Sequence, residues 1–388
     1  MIYLDYNATT PCDLDVLETM LPYFSLKYGN AASKTHPIGW QADEAVKIAA
    51  KQISDLIHCE PEEIIFTSGA TESCNLAIKG VYEKLNQFGN HIITCVTEHK
   101  AVLDTCAHLE KMGANVTYLP VNQNGDISLE QLELAITEKT ILIAIMYANN
   151  ETGMIHPVAK IGAIARARNI YFFCDATQAV GKIRVDVTEN KIDLLACSAH
   201  KFYGPKGIGI LYINRKRPRI QLSEQINGGG HQNGFRSGTL NVPAIVGMGK
   251  AANIIKTEQY QAQLIQLQQW RDTLEKSFLK IPNTKINGAA TERLPHVLNI
   301  AFPDVKAERL IGVLQNDLAF SVGSACTSAN QKASHVLEAM NIGAAIQEGS
   351  IRLSLGKFLK EEEISIVIQK ITKAIEILKM DSDESLKY

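Results

Sequence analysis

An α/β architecture is predicted: a large domain on a mostly parallel, seven-stranded sheet flanked by helices, then a smaller α+β domain. Three observations predict it. Short apolar runs alternate with amphipathic stretches between residues 63 and 213, the order of a parallel sheet with helical crossovers. A long, polar-faced segment follows, and beyond it two strand-like runs lie among helical ones. The chain has 388 residues, 46% of them apolar, enough to fill both cores.

Taken in order, residues 15–58 carry helical periodicity broken at "YGNAASKTHPIG", a loop marked by Gly29, Asn30, Pro37 and Gly39. Seven strands are then expected at "EIIFTSG", "HIITCVT", "NVTYLPV", "TILIAIMYA", "YFFCDAT", "DLLACSA" and "GIGILYI", with helices over 71–87, 100–112, 128–138 and 157–168. "EQYQAQLIQLQQWRDTLEKSFLKI" predicts a long helix joining two domains. The smaller domain has strands "VLNIAFP" and "SIRLSL", and the tail "MDSDESLKY" is expected to fray. Boundaries of 15–257 for the large domain, and 1–14 with 258–388 for the small one, follow. No internal repeat or low-complexity tract interrupts the pattern.

Charge and composition exclude several classes. A formal net charge of -2 gives no positive field to recruit nucleic acid or an anionic membrane. The cluster Arg215-Lys216-Arg217-Pro218-Arg219 has no aromatic platform beside it and reads as a solvated turn, at most a contact for an acidic protein. "MIYLDYNATTP" lacks the cationic and apolar regions of a signal peptide. "TILIAIMYA" is too short to cross a bilayer. Eight cysteines without CxxC or zinc-ligand spacing suggest reduced thiols in a cytoplasmic protein, and no metal site.

Chemistry is expected just past the strands, because ligands of such sheets collect at the carboxyl ends. Ser68-Gly69-Ala70-Thr71 enters a helix, where small residues and free N–H groups favour an anion such as phosphate; ordinary capping would look the same. Asp175 ends one strand, with Gln178 close behind, and Ser198, His200 and Lys201 end another. A lysine and an aspartate so placed could be a salt bridge. They are also what pyridoxal phosphate requires: an amine to form the Schiff base and a carboxylate to keep the pyridine nitrogen protonated. Lys206, between Pro205 and Gly207, is the rival lysine and better suits the turn. His99 shares the strand-end face and is a candidate acid or base. "NNETG" brings Asn150 to the same face.

One cysteine stands apart. Cys326 lies in "SVGSACTSANQK", among serines, alanines and a glycine, with no aromatic and only one sizeable aliphatic residue to pack against, unlike a buried structural thiol.

The blocks "YLDYNATTP", "FTSGATES", "TEHKAVLDT", "NNETG", "CDATQAVGK", "SAHKFYGPKG", "GGGHQNGFRSGT", "GSACTSA" and "SIRLSLG" occur in the order found in cysteine desulfurases. The chain resembles these fold-type I, pyridoxal-phosphate enzymes of the class-V aminotransferase family from Met1 to about residue 378. It is most similar to the group with an extended active-site loop. The resemblance implies that Lys201 forms the Schiff base, Asp175 partners the pyridine nitrogen, Gln178 meets the phenolic oxygen and His99 stacks on the ring as acid/base. It implies a phosphate site of Ala70, Thr71, Ser198 and His200, with Thr239 supplied by the other subunit of a homodimer. Asn150 would touch cofactor and substrate, Arg352 would clamp the substrate carboxylate, and Cys326 would accept the sulfur.

The implied reaction turns L-cysteine into L-alanine and leaves a persulfide on Cys326, for a sulfur-acceptor protein in iron–sulfur cluster assembly or a tRNA-thiolation relay. A loop of about ten residues reaches on the order of 30 Å when extended, so residues 321–332 suit a sulfur carrier. Selenocysteine lyase, and a non-catalytic sulfur carrier or scaffold on the same fold, are the alternatives. Cys74, Ala199 and Val322 depart from the family's usual residues, and "MDSDESLKY" does not match the longer scaffold-docking tail of its housekeeping members.

Overall fold

The computed structural model describes residues 1–216, 220–288, 292–322 and 334–385. Cys326 and residues 217–219 of the basic cluster lie outside the described residues.

The chain starts in a two-residue strand, β1 (Ile2–Tyr3), and then forms helices Leu14–Met20, Pro22–Ser25 and Pro37–Ile57. Seven strands follow: β2 (Ile64–Thr67), β3 (His91–Cys95), β4 (Asn115–Leu119), β5 (Thr140–Ala144), β6 (Tyr171–Asp175), β7 (Leu194–Ser198) and β8 (Gly209–Ile213). They form one sheet in the order β2-β8-β7-β6-β5-β3-β4. All pairs among β3 to β7 are parallel, whereas β8 runs antiparallel to both β7 and β2. The central strands are buried along their whole length because helices cover both faces. Helix Ala70–Leu85 packs on one face through Cys74, Leu76, Ala77, Ile78 and Val81. Gln232 closes the outer edge of β2 by pairing its amide with the backbone N–H and C=O of Phe66 at 2.6 and 2.8 Å. An edge strand left unpaired would invite another chain.

The joining helix is Glu258–Phe278, with Tyr260, Leu264, Leu267, Leu274 and Phe278 on its buried stripe. A second, three-stranded antiparallel sheet consists of β9 (Lys285–Ile286), β10 (Val297–Ala301) and β12 (Ser350–Ser354), with β10 in the middle. β1 pairs in parallel with β11 (Leu318–Ala319), so the N-terminus is tied to the C-terminal part of the chain.

The expected strands and major helices form where the periodicity put them, with two differences. The strand in "TILIAIMYA" ends at Ala144, and its second half runs on toward the carboxyl edge of the sheet, with the Ile145 and Tyr147 N–H groups still donating to the Phe173 and Asp175 carbonyls. The tail does not fray at residue 380: helix Glu361–Ser385 carries on into it as far as Ser385. The preceding turns bury Ile364, Val367, Ile371, Ile375 and Leu378, and extending a nucleated helix costs little per residue.

Candidate active site

A cavity of about 500 Å³ opens at the carboxyl edge of the large sheet. Ala70, Thr71, His99, Asn150, Asp175, Gln178, Ser198, His200 and Lys201 all line it, as does Lys206. Thr239 is exposed and does not line it. Arg352 also lies outside the lining, behind Asn150.

The β2 end supplies an anion cradle. Gly69 caps helix Ala70–Leu85 at φ 155° and ψ 178°, a region open essentially to glycine alone, and no side chain caps this helix start. Its first N–H groups are thus left for a ligand. The Glu72 carboxylate is bound by Arg236 at 2.9 Å and by the Ser68 N–H at 2.7 Å, so its charge does not stand unpaired beside the cradle. Gly209, at the start of β8, has no room for a Cβ: it would lie 2.7 Å from the Gly69 Cα.

His99 is the N-cap of helix Lys100–Glu110, its Nδ1 accepting the Ala101 N–H at 3.1 Å. With Nδ1 an acceptor, the proton of the neutral ring sits on Nε2. Asp175 closes β6; its Oδ1 accepts the Thr177 N–H at 3.0 Å and its Oδ2 lies 3.9 Å from the buried Cys74 thiol. Glu98 is completely buried close by, with one oxygen accepting the Met146 N–H at 2.6 Å and the other without a partner among the described residues. Burial, reinforced by the charge of Asp175, pushes the Glu98 carboxyl well above the usual carboxylate range. The shift favours the neutral acid, which lessens the negative charge set against Asp175.

Lys201 ends the short turn Ala199–Lys201 after β7, and its amine donates to the carbonyl oxygens of Asn7 at 2.6 Å and Ala8 at 2.8 Å. His200 turns back to the same segment, its Nδ1 3.1 Å from the Thr9 hydroxyl. Burial, then the charges of Lys201 and Lys206, lower His200 to about 4, leaving a neutral imidazole. Gln178 donates to the Asn7 carbonyl at 3.2 Å. Arg352, on β12, is buried against Asp5 at 2.6 Å, the Asn150 carbonyl at 2.9 Å and the Ser321 hydroxyl at 3.2 Å, and its Nε has no partner among the described residues.

The N-terminal segment is what sequence reasoning left without roles. Asp5, Asn7, Ala8 and Thr9 back the cavity and bind five of the expected site residues between them: Arg352, Gln178, His200, Lys201 and Asn150. "YLDYNATTP" is visible as a block, but these contacts join residues more than 140 positions apart, and most run through backbone oxygens that carry no sequence signal.

These residues fit pyridoxal phosphate. An uncapped, glycine-led helix start suits its phosphate, the buried Asp175 suits a ring nitrogen, and Lys201 supplies a primary amine in the same cavity.

Comparisons with known proteins agree. Residues 2–367 match the family described as aminotransferase class-V. The cysteine desulfurase IscS of Salmonella paratyphi C (strain RKS4594) is 50% identical over 376 residues, 96% of this chain and 92% of that protein. The cysteine desulfurase IscS of Anaeromyxobacter sp. (strain K) is 48% identical over 95% of this chain and 91% of that protein. Among solved structures, a NifS-like protein superposes with a TM-score of 0.89 at 36% identity, covering 98% of this chain and 99% of the other. SspA in complex with cysteine gives 0.81 at 38% identity over 92% and 99%. With the family matched along nearly its whole length, and the fold and cavity in accord, the chain belongs to the class-V aminotransferases.

Proposed function

We propose that this chain is a pyridoxal-phosphate-dependent cysteine desulfurase. It converts L-cysteine and an enzyme thiol into L-alanine and an enzyme persulfide. The observation that carries the reading is the convergence of Lys201, Asp175 and His99 on one cavity beside an uncapped helix start.

When bound, the cofactor supplies an electron sink that labilises bonds at the α and β carbons of the amino acid. Ala70, Thr71, Ser198 and His200 would hold its phosphate, Asp175 its ring nitrogen and Gln178 its phenolic oxygen, and Lys201 would supply the amine that attaches it. His99 would lie against the ring and move protons through Nε2. Arg352, held in place by Asp5, receives the substrate carboxylate together with Asn150. The Cys326 thiolate attacks the substrate sulfur: an S–S bond forms, the Cβ–S bond breaks, and Cβ takes a proton to give alanine. The balance needs no outside oxidant.

The working unit is a homodimer in which Thr239 reaches the partner's phosphate site. Leu14, Leu21, Phe24, Leu26 and Trp40 support this, being large apolar side chains more than half exposed on or beside the first three helices. The persulfide passes to an acceptor protein, an iron–sulfur scaffold or a tRNA-thiolation relay. A reducing, cytoplasmic setting agrees with the seven described cysteines, all of them free. Among the described residues no helix is long and apolar enough to cross a membrane.

A single turnover with L-cysteine and no reductant tests the reading. Alanine is expected together with one added sulfur, mapped to Cys326 by mass spectrometry. Cys326→Ser keeps the yellow chromophore and forms no persulfide. Alanine production at full rate in Cys326→Ser overturns the sulfur-acceptor role, and turnover of L-selenocysteine alone makes the chain a selenocysteine lyase.

A further inference from the structure

Two backbone carbonyls receive the Lys201 amine, Asn7 O at 2.6 Å and Ala8 O at 2.8 Å. A lysine nitrogen double-bonded to a carbonyl carbon keeps at most one N–H, so it cannot make both contacts. The pair suits Lys201 only as a detached amine, the form it takes each time a substrate amine replaces it.

The holder of these carbonyls is itself built from buried polar groups. Asn7 is 2% exposed. Its N–H donates to the Ser354 hydroxyl at 2.9 Å, its Nδ2 donates to the Asn150 carbonyl at 2.9 Å, and its Oδ1 accepts from His296 Nε2 at 2.8 Å. His296 is fully buried, and its other ring nitrogen has no partner among the described residues. Burial, then the charges of Lys182, Arg271 and Arg352, keep the ring neutral, so one ring N–H is available to donate to Asn7. The Asn7 carbonyl also accepts from Gln178, so two expected cofactor residues meet at one oxygen.

We propose that the Asn7 and Ala8 carbonyls form a dock for the released Lys201 amine, and that Asn7 and His296 are positioning residues that hold the dock in register. The inference rests on Lys201 being the cofactor-attaching lysine. Short bonds from a cationic amine to carbonyls are stronger than those from a neutral one. The dock therefore favours the ammonium, which has no lone pair with which to compete against the bound substrate. It also keeps the amine inside the cavity for its return.

The test compares two lysines that line the same cavity, Lys201 and Lys206. Full-length protein freed of cofactor is treated with an acetylating N-hydroxysuccinimide ester, and each lysine is followed by mass spectrometry. In the wild type Lys201 reacts more slowly than Lys206. His296→Leu and Asn7→Leu raise the Lys201/Lys206 rate ratio on the order of five-fold, the worth of about one hydrogen bond. His296→Gln retains an N–H donor and stays near the wild-type ratio, a rescue that a merely structural role does not predict. An unchanged ratio in folded leucine variants overturns the dock. If those variants do not fold, the wild type decides: Lys201 reacting as fast as Lys206 overturns it. Borohydride reduction of the holoenzyme is the separate control. Cofactor fixed on Lys206 refutes the lysine assignment, while the acetylation ratios still judge the dock.

Discussion

His156 is 2% exposed, and neither of its ring nitrogens has a hydrogen-bond partner among the described residues. Burial lowers it from the ordinary 6.5 to about 4, so the folded chain holds a neutral ring that unfolding releases to bind a proton. Its contribution is present in full above about pH 6.5 and is lost as pH falls toward about 4. His156→Leu should remove about one proton from the slope of unfolding free energy against pH in that window, about 1.4 kcal/mol per pH unit. Urea titrations at a series of pH values measure it; an unchanged slope means the ring is already charged when folded. Three histidines that look alike in the sequence thus have different fates. His99 is legible because it follows an apolar run at a strand end. His296 is not, since its partner Asn7 is 289 residues away, and His156 meets nothing that a pattern search could register.

At the scale of elements, the β2 end shows how a turn decides whether a helix start can bind an anion. Gly69 has room for a Cβ, the nearest atom being Ser198 Oγ at 3.7 Å, but its φ of 155° is one that other residues avoid. Gly69→Ala therefore adds strain without a clash, about 1–3 kcal/mol. The strain must appear somewhere. Because the neighbouring Ser68 is exposed, the loop should yield, weakening cofactor binding on the order of ten-fold with little loss of stability in the cofactor-free chain. Titration of the yellow chromophore against pyridoxal phosphate, beside thermal melts, separates the two; neither changing would remove Gly69 from the cradle. The strands themselves were legible because fully buried parallel strands read as short apolar runs. The reversed direction of β8 had a signal that periodicity ignores. Only residues 199–208 separate it from β7, too few for the helical crossover that a parallel neighbour requires.

For the whole molecule, the resemblance spans both sheets, yet two expected site residues lie away from the cavity in the single chain. Arg352 is held behind Asn150 by Asp5, an ion pair that ties β12 to the N-terminal segment. A substrate carboxylate must therefore share or displace a contact that Asp5 already makes. Thr239 is exposed and outside the cavity lining, as a residue serving a second copy should be. The apolar side chains on the first helices point the same way: Leu21 and Phe24 are 54% and 64% exposed, and Leu26 is 79% exposed. Exposure of that much aliphatic and aromatic surface is what a stable dimer buries. Leu21→Asp with Phe24→Asp places two charges there without touching any cavity residue. Sedimentation equilibrium should show a dimer for the wild type and a monomer for the double variant. If Thr239 acts across the interface, the monomer also retains cofactor more weakly, and Thr239→Ala reproduces that loss while leaving the dimer intact. A monomeric wild type with full cofactor affinity overturns both parts. A dimer that survives the two aspartates moves the interface elsewhere, and Thr239→Ala then reports alone on whether the phosphate site is shared.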